Sequence, residues 1–244
     1  MTAIKTIDLT KKYKDTLAVD RLNLEIREGE LFALLGVNGA GKTTTIKMLS
    51  TLTAPTAGEA YIYEYRVDRD QNRIKELVDI SMQETAVARK LTVEENVEFY
   101  ARLSGQTKDE IEASKKYVYE AFGLDQVAKK QAAKLSGGWQ RKLSIALALV
   151  SKPKVLFLDE PTLGLDVLAR RELWNTIRKL KSQMTIILTT HYMEEAEALS
   201  DRIGIMKDGR LLFVGTKEEL YAQTGRDNVE DSFINIVGGG ELDA

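Results

Sequence analysis

The sequence predicts an α/β fold with a mainly parallel sheet, and two observations carry this prediction. Short continuous apolar runs lie at 31–36, 155–159 and 185–190, as is typical of strands that are buried on both faces. Helical patterns separate these runs, notably at 168–181. Strands that alternate with helices favour a parallel sheet covered by those helices.

Length and composition limit the classes of protein to which the chain can belong. Its 244 residues suffice for one sizeable domain or for one domain with an inserted subdomain. The net charge of −2 predicts no nucleic-acid partner, and the lack of cysteine excludes a disulfide framework or a thiolate metal site. The start, "MTAIKTIDLT", lacks the apolar core of a signal peptide, and no apolar run approaches the roughly 20 residues of a membrane span. We expect a soluble, cytosolic protein.

The first half of the chain begins with predicted strands and continues into a long segment without them. Residues 17–26 alternate apolar and polar side chains, which predicts a half-exposed strand, and a helical pattern begins at Lys42. Residues 91–133 are rich in Glu, Lys and Ala and contain no strand-like run. Thr92 and Glu95 there fit a capping box at a helix start.

These changes predict one domain with an insertion. We expect an α/β core made of 1–83 and 153–224, and a helical subdomain at 84–152. Asp208-Gly209 predicts a hairpin, and Thr216 with Glu219 predicts another capped helix. The tail, 225–244, is expected to be loose after Val237.

A glycine-rich segment between the strand at 31–36 and the following helix predicts a phosphate site. "GVNGAGKT" (36–43) satisfies the pattern G-x-x-x-x-G-K-[ST], in which backbone N–H groups surround phosphate oxygens. Lys42 would reach the β- and γ-phosphates, and Thr43 can hold Mg²⁺. A simple turn is the alternative, which the position between strand and helix disfavours.

Two further segments carry charged or anion-binding groups. "VLFLDEP" (155–161) ends a buried strand with Asp159, a candidate Mg²⁺ ligand, and Glu160, a candidate general base for an attacking water. Acids at a strand end are often merely solvated, so the pair alone decides nothing. In "KLSGGWQRKLSIALALV" (134–150), Ser136 precedes an apolar helix, and the two glycines after it leave N–H groups open to an anion.

The ordered motifs "GVNGAGKTT", Gln83, "LSGGW", "VLFLDEPTLGLD" and His191 resemble the nucleotide-binding domain of the ABC ATPase family over nearly the whole chain. The resemblance implies a P-loop NTPase core with a mainly parallel sheet, an N-terminal antiparallel β region and an inserted helical subdomain. It implies ATP and Mg²⁺ as cofactors. A satisfied structural histidine or an ordinary polar glutamine would be the simpler interpretation of His191 or Gln83, but the motif order favours function.

The resemblance assigns a role to each matching residue. The Walker A loop that binds ATP comprises Gly36, Val37, Asn38, Gly39, Ala40, Gly41, Lys42, Thr43 and Thr44. The magnesium ligands are Thr43, Gln83 and Asp159, and the catalytic residues are Glu160, His191 and Gln83. Tyr13 would stack on adenine, although an exposed tyrosine at a strand end is common, and Asp166 lies in the D-loop. Ser136, Gly137 and Gly138 would cap the γ-phosphate of ATP on a second copy of the chain.

These roles imply an ATP-hydrolysing subunit that forms a homodimer around two MgATP and powers export by separate membrane-spanning permease subunits. It would be cytoplasmic, on the cytoplasmic face of the cell membrane, and most similar to the bacterial drug-, antibiotic- and sodium-exporting group. A soluble ABC ATPase of translation or DNA repair is the alternative, but such proteins usually have fused cassettes, a coiled-coil insertion or zinc-binding cysteines. A P-loop kinase or GTPase would leave "LSGGW" unexplained.

Two details depart from the family pattern or extend it. Trp139 stands where glutamine is usual, followed by Gln140, and its indole is expected to be partly exposed. Val87, Leu91 and Val93 form an apolar patch for which the sequence shows no internal use. We expect that patch to dock on the membrane-spanning subunit.

Overall fold

A computed structural model describes residues 1–181 and 183–238, which contain ten strands and nine α-helices. The strands are β1 (Thr2–Tyr13), β2 (Thr16–Arg27), β3 (Leu31–Leu35), β4 (Ala57–Ile62), β5 (Tyr65–Arg66), β6 (Val78–Ser81), β7 (Val155–Asp159), β8 (Thr185–Thr190), β9 (Arg202–Lys207) and β10 (Arg210–Gly215). The helices are α1 (Lys42–Leu49), α2 (Gln71–Leu77), α3 (Val93–Leu103), α4 (Lys108–Phe122), α5 (Gly137–Leu149), α6 (Val167–Lys181), α7 (Met193–Leu199), α8 (Lys217–Thr224) and α9 (Val229–Gly238).

The larger sheet has six strands in the order β10-β9-β3-β8-β7-β6. All its neighbouring pairs are parallel except β9 and β10, so the predicted α/β class is confirmed. Every residue of β3, β7 and β8 is buried, as their continuous apolar runs predict. The carboxyl ends of these strands therefore meet at one edge of the sheet, where ligands bind in such folds.

The smaller sheet is antiparallel, in the order β2-β1-β4-β5, and forms the N-terminal β region. The strand predicted at 17–26 is β2, whose residues alternate between buried and exposed along much of its length. The backbone N–H of Asp20 donates to the carbonyl of Gly209 at 2.9 Å, which joins this sheet to the β9–β10 hairpin. The hairpin turn predicted at Asp208-Gly209 is confirmed.

Helices α3, α4 and α5 fill most of the segment predicted to be helical. The capping box predicted at the start of α3 is confirmed: Glu95 N–H donates to the hydroxyl of Thr92, and Thr92 N–H donates to the carboxylate of Glu95. The box predicted at the start of α8 is confirmed in the same way for Thr216 and Glu219. Part of the predicted tail forms α9, and the residues after Gly238 lie outside the described part of the chain.

Two apolar clusters form the core, one on each face of the larger sheet. Alternate residues of β3 serve the two sides: Leu31, Ala33 and Leu35 join one cluster, and Phe32 and Leu34 join the other. The first cluster also contains buried side chains of α3, α4 and α5, so the helical segment and one sheet face share a single core. Among the described residues no helix combines the length and apolar character needed to cross a bilayer.

One predicted surface feature is wrong. Val93 is fully buried in the first cluster, and Val87 packs against it, so these side chains have an internal use. A helix begins at Val93, which turns this residue toward α4 and α5 rather than toward solvent. The exposed apolar residues of α3 are instead Phe99 and Leu103, four residues apart on one helix face.

Candidate active site

The Walker A loop connects β3 to α1 and contains glycines that no other residue could replace without a shift of the backbone. A Cβ atom on Gly36 would lie 2.4 Å from the carbonyl oxygen of Met206, and one on Gly41 would lie 2.4 Å from that of Ala18. Gly41 also has a φ of +104°, in the left-handed region. Gly36 therefore lies directly against β9, and Gly41 lies directly against β2.

This loop borders a cleft of about 670 Å³ at the carboxyl edge of the larger sheet. Of the predicted site residues, Asn38, Gly39, Ala40, Gly41, Lys42, Thr43, Thr44, Gln83, Glu160 and His191 line the cleft. Five other lining residues are not among the predicted ones: Thr16, Leu17, Ala18, Leu163 and Asp208. Asp208 belongs to the predicted hairpin turn, but its sequence does not reveal that the turn lies beside the Walker A loop.

Lys42 lies inside the cleft and is 5% exposed. Its Nζ donates to the carbonyl oxygens of Gly36 at 2.7 Å and Val37 at 3.1 Å, and it lies 3.5 Å from Glu160 Oε1. Burial lowers the pKa of Lys42, and the nearby carboxylate of Glu160 opposes that shift. The ammonium is thus held by the loop itself and directed at the space that a phosphate would occupy.

Asp159 and Thr43 bring hard oxygen ligands together at the end of β7. The hydroxyl of Thr43 donates to both carboxylate oxygens of Asp159 at 3.0 Å, and the hydroxyl of Thr189 donates to Asp159 Oδ1 at 2.5 Å. Magnesium is usually held by one or two protein oxygens together with phosphate and water, and this pair fits that chemistry. Gln83 lines the same cleft and could supply an amide oxygen. Within the described ranges no cluster of three or more His, Cys, Asp or Glu could hold a metal ion on its own.

Glu160 follows Asp159 and lies between a cation and an imidazole. Its carboxylate is 3.5 Å from Lys42 Nζ through one oxygen and 2.6 Å from His191 Nδ1 through the other. The His191 ring makes this contact without a hydrogen bond of favourable angle at Nδ1. Glu160 has a φ of +48°, which strains a residue with a side chain, and its N–H is held by Thr189. In this conformation Glu160 lines the cleft.

Tyr13 is the predicted adenine-stacking residue, and the structure places it at the end of β1 with 44% of its surface exposed. The ammonium of Lys11 lies 4.9 Å from its ring centroid. Tyr13 does not line the cleft, whereas Thr16 and Leu17, directly after the β1–β2 turn, do. The stacking role of Tyr13 stays a prediction.

The residues predicted to serve a second nucleotide lie apart from this cleft. Ser136 and Gly137 are exposed at the start of α5, Gly138 is half-buried, and none of the three lines the cleft. Asp166 accepts hydrogen bonds from the N–H groups of Leu168 and Ala169, so it caps the start of α6. The start of α5 therefore lies outside the cleft that borders this chain's own Walker A loop.

Trp139, the tryptophan of the "LSGGW" motif, is half-buried, as expected. Trp139 packs against the first apolar cluster, and the ammonium of Lys142 lies 4.6 Å from its ring centroid. Trp174, the other tryptophan, is 9% exposed, and its indole N–H donates to the buried carboxylate of Glu195 at 3.0 Å. The two indoles thus differ in their access to solvent.

Comparison with known proteins extends these observations. The sequence profile of the family described as ABC transporter matches residues 19–163. Human phospholipid-transporting ATPase ABCA3 is 43% identical over 212 residues, which cover 87% of this chain and 12% of that protein. Daunorubicin resistance ATP-binding protein DrrA3 of Streptomyces coeruleorubidus is 38% identical over 230 residues, which cover 94% of this chain and 73% of that protein. The chain thus spans only a small part of the first relative's length.

Solved structures with the same fold are similar along most of their length. The protein cbiO1 from Clostridium perfringens, part of the ABC transporter complex cbiONQ, has a TM-score of 0.84 and 28% identity, and the match covers 96% of this chain and 95% of that one. A dimeric ATP-binding cassette in a post-hydrolysis state, bound to ADP and Pi, has a TM-score of 0.78 and 27% identity over 87% of this chain and 98% of that one. The chain therefore belongs to the ABC transporter family, and its fold is that of the family's ATPase domains.

Proposed function

We propose that the chain binds MgATP and hydrolyses it to power export by separate membrane-spanning subunits. One observation carries the proposal: Lys42, Thr43, Glu160 and His191 line one cleft beside the Walker A loop, where Glu160 contacts Lys42 and His191 and the hydroxyl of Thr43 bonds to Asp159. Lys42 places positive charge on the phosphates, and Glu160 orients the water that attacks the terminal one. Mg²⁺, held by Thr43, Asp159 and Gln83, would neutralise charge that develops on the phosphate oxygens.

His191 needs only to hold the terminal phosphate in place. Its imidazole is 28% exposed in the cleft and touches Glu160, so it can donate a hydrogen bond to a phosphate oxygen while Glu160 orients the water. The test is phosphate release by the purified chain with ATP, with and without Mg²⁺. Release that requires Mg²⁺ supports the proposal, and an inactive chain that also fails to bind ATP contradicts it.

The open start of α5 supports a homodimer in which two copies enclose two nucleotides. A helix N-terminus attracts an anion, and here it lies away from the chain's own cleft. It would therefore cap the γ-phosphate of ATP on a second copy. Because ADP lacks that phosphate, hydrolysis would remove the link between the two copies and allow them to separate. The dimeric cassette described above is a precedent for such an assembly.

The fluorescence of Trp139 is expected to report formation of this dimer. Closure would move the half-buried indole from solvent to the rim of the partner's nucleotide site, where an amphipathic ring is tolerated. In a Glu160→Gln chain, MgATP should shift the emission with a dependence on protein concentration that follows dimer formation, and MgADP should not.

The structure favours a particular control for this measurement. Replacing Trp174 by Phe would isolate the signal but would remove a hydrogen bond to the buried Glu195. A Trp139→Phe chain that keeps Trp174 is the milder control and should lose the shift. A shift of the Trp139 emission that is independent of protein concentration would place this indole near its own chain's nucleotide and contradict the sandwich.

The segment after Gln83, together with the exposed face of α3, is proposed to dock on a cytosolic helix of the membrane-spanning subunit. Ala86 is exposed, and Phe99 and Leu103 present apolar surface of 45% and 68% exposure. This docking would place the chain on the cytoplasmic face of the membrane. Drug-like substrates are proposed by similarity to DrrA3, since the substrate would contact the other subunit.

Introduced cysteines test this docking surface directly, because the chain has none of its own. Cysteine at Ala86 or Leu103 should crosslink to the spanning subunit in native membranes. Cysteine at Asp208, at the hairpin beside the cleft, is the control and should not crosslink. Crosslinks from Asp208 alone would overturn the proposed surface, and the absence of any spanning partner in the purified membrane complex would favour a soluble ABC ATPase.

A further inference from the structure

Arg141 makes a hydrogen-bond network that none of the sequence motifs predicts. It lies in α5 and is 4% exposed. Its guanidinium donates to five backbone carbonyl oxygens of two loops: Met82 at 2.6 Å, Gln83 at 3.1 Å, Asp159 at 2.7 Å, Glu160 at 2.9 Å and Pro161 at 2.7 Å. A guanidinium has five N–H groups, so its donor capacity is matched by these acceptors.

The two loops follow neighbouring strands. Strand β6 pairs in parallel with β7, with Ser81 opposite Leu158, so their following residues leave the sheet side by side. The first loop carries Gln83, and the second begins with Glu160, directly after Asp159 at the end of β7. Arg141 thus bonds to the backbone of Gln83 and Glu160, which line the cleft, and of Asp159, which accepts from Thr43. A planar, rigid donor group of this kind fixes the distance between its acceptors.

The same helix begins with the residues that would cap a partner's ATP. Ser136 precedes α5, and Arg141 follows five positions later, a rise of about 7.5 Å along the helix axis. Gly138 lies close to α6, since a Cβ atom there would be 3.2 Å from the Cβ of Ala169. A displacement of the start of α5 would therefore be carried by a short rigid segment to Arg141 and to both loops.

The charge of Arg141 persists despite its burial. Burial lowers its pKa to about 10, and the carboxylates of Asp159, Glu195 and Glu160 oppose that shift. At neutral pH the guanidinium is still protonated, and all its N–H groups remain donors. Its removal would leave the buried carbonyls of Asp159, Glu160 and Pro161, and the partly buried ones of Met82 and Gln83, to find other partners.

We propose that Arg141 is a positioning residue that couples the phosphate-capping end of α5 to the loops of Gln83, Asp159 and Glu160, so that capture of ATP from the partner chain sets the hydrolytic geometry of the chain's own site. The inference rests on the proposed ATP sandwich. Arg141 does not touch the nucleotide; it acts through the backbone of the residues that do. Its loss should therefore slow hydrolysis more than it weakens ATP binding.

Arg141→Lys is the variant to test, because lysine keeps the charge but has three donors on one atom instead of five in a plane. We expect MgATP affinity within about twofold of the wild type, and a single-turnover hydrolysis rate about 10²-fold lower, as for a displacement of about 1 Å at a reacting centre. Hydrogen exchange at residues 82–85 and 160–163 should be faster in the variant. Arg141→Gln is the second variant, to be used if the lysine variant does not fold.

Arg202→Lys is the matched control. Arg202 begins β9 and lies beside the start of β3, at the other end of the strands from the cleft. Its guanidinium donates to the carbonyl of Glu25 and the carboxylate of Glu30. The same substitution there should leave hydrolysis unchanged per folded molecule. A folded Arg141 variant with wild-type hydrolysis overturns the positioning role. So does a variant in which MgATP affinity and hydrolysis rate fall by the same factor, if a lower melting temperature shows that the loss is one of folded protein. A wild-type chain that neither binds nor hydrolyses ATP would instead contradict the proposed function itself.

Discussion

Glu160→Gln is expected to abolish most ATP hydrolysis while ATP binding persists. Glutamine has the size of glutamate but cannot accept a proton from the attacking water, and loss of such a base costs about 10²- to 10⁴-fold in rate. The substitution also removes the negative charge that lies 3.5 Å from Lys42 Nζ, which favours a phosphate at that position. Light scattering should show a stable dimer with MgATP and a monomer with MgADP.

The control for this variant is Glu172→Gln on α6. Glu172 accepts a hydrogen bond from Lys142, and its side chain is 65% exposed. The side chain of Glu160, in contrast, is 7% exposed. Its replacement should change the rate by less than twofold. A Glu160→Gln chain that hydrolyses ATP at nearly the wild-type rate would mean that another group activates the water, and the role assigned to Glu160 would have to be abandoned.

Lys42→Ala is expected to weaken MgATP binding by about 10²-fold or more. A hydrogen bond to a charged group contributes about 1.5–3 kcal/mol, so two phosphate contacts by one ammonium account for a change of this size. In the structure this ammonium is already directed into the cleft by the carbonyls of Gly36 and Val37. Isothermal titration calorimetry with MgATP measures the loss.

Lys47→Ala provides a control in the same helix. Lys47 lies in the last turn of α1 and does not line the cleft. This variant should bind MgATP like the wild type, and thermal unfolding of both variants checks that each is folded. An Lys42→Ala chain with affinity near that of the wild type would refute the assignment of the Walker A loop.

The sequence predicts the buried strands better than the edges of the sheet. The bounds of β7 and β8 agree with the predicted runs. A continuous apolar run is typical of a strand whose two faces are both covered by other parts of the protein. The sequence implies a strand before Gln83 but predicts no bounds for β6, because its four residues include Asp79 and lie at the sheet edge. Val93 is misplaced because the sequence predicts the helix that begins there but not which side chains of the core cover it.

The motif residues could be named from sequence, but their mutual contacts could not. The pattern around Lys42 predicts a phosphate site, while only the folded chain reveals that Glu160 lies between Lys42 and His191. Arg141 has no sequence signal of its own, because the sequence does not distinguish a helix arginine that bonds to the loops after β6 and β7 from one that faces solvent. Its role depends on the register of β6 beside β7, which is a tertiary property.

The apolar cluster shared by the helical segment and the larger sheet restricts how these two parts can move. Side chains of α3, α4 and α5 are packed with those of β3, β7 and β8 in one continuous core. A hinge that opened a gap between them would expose apolar surface at about 25 cal/mol per Å². Rotation by shear, in which packed side chains slide past one another over a few ångströms, keeps that surface covered. Nucleotide-driven movement of the helical segment should therefore be a small sliding rotation, with its amplitude limited by side-chain repacking rather than by the length of a linker.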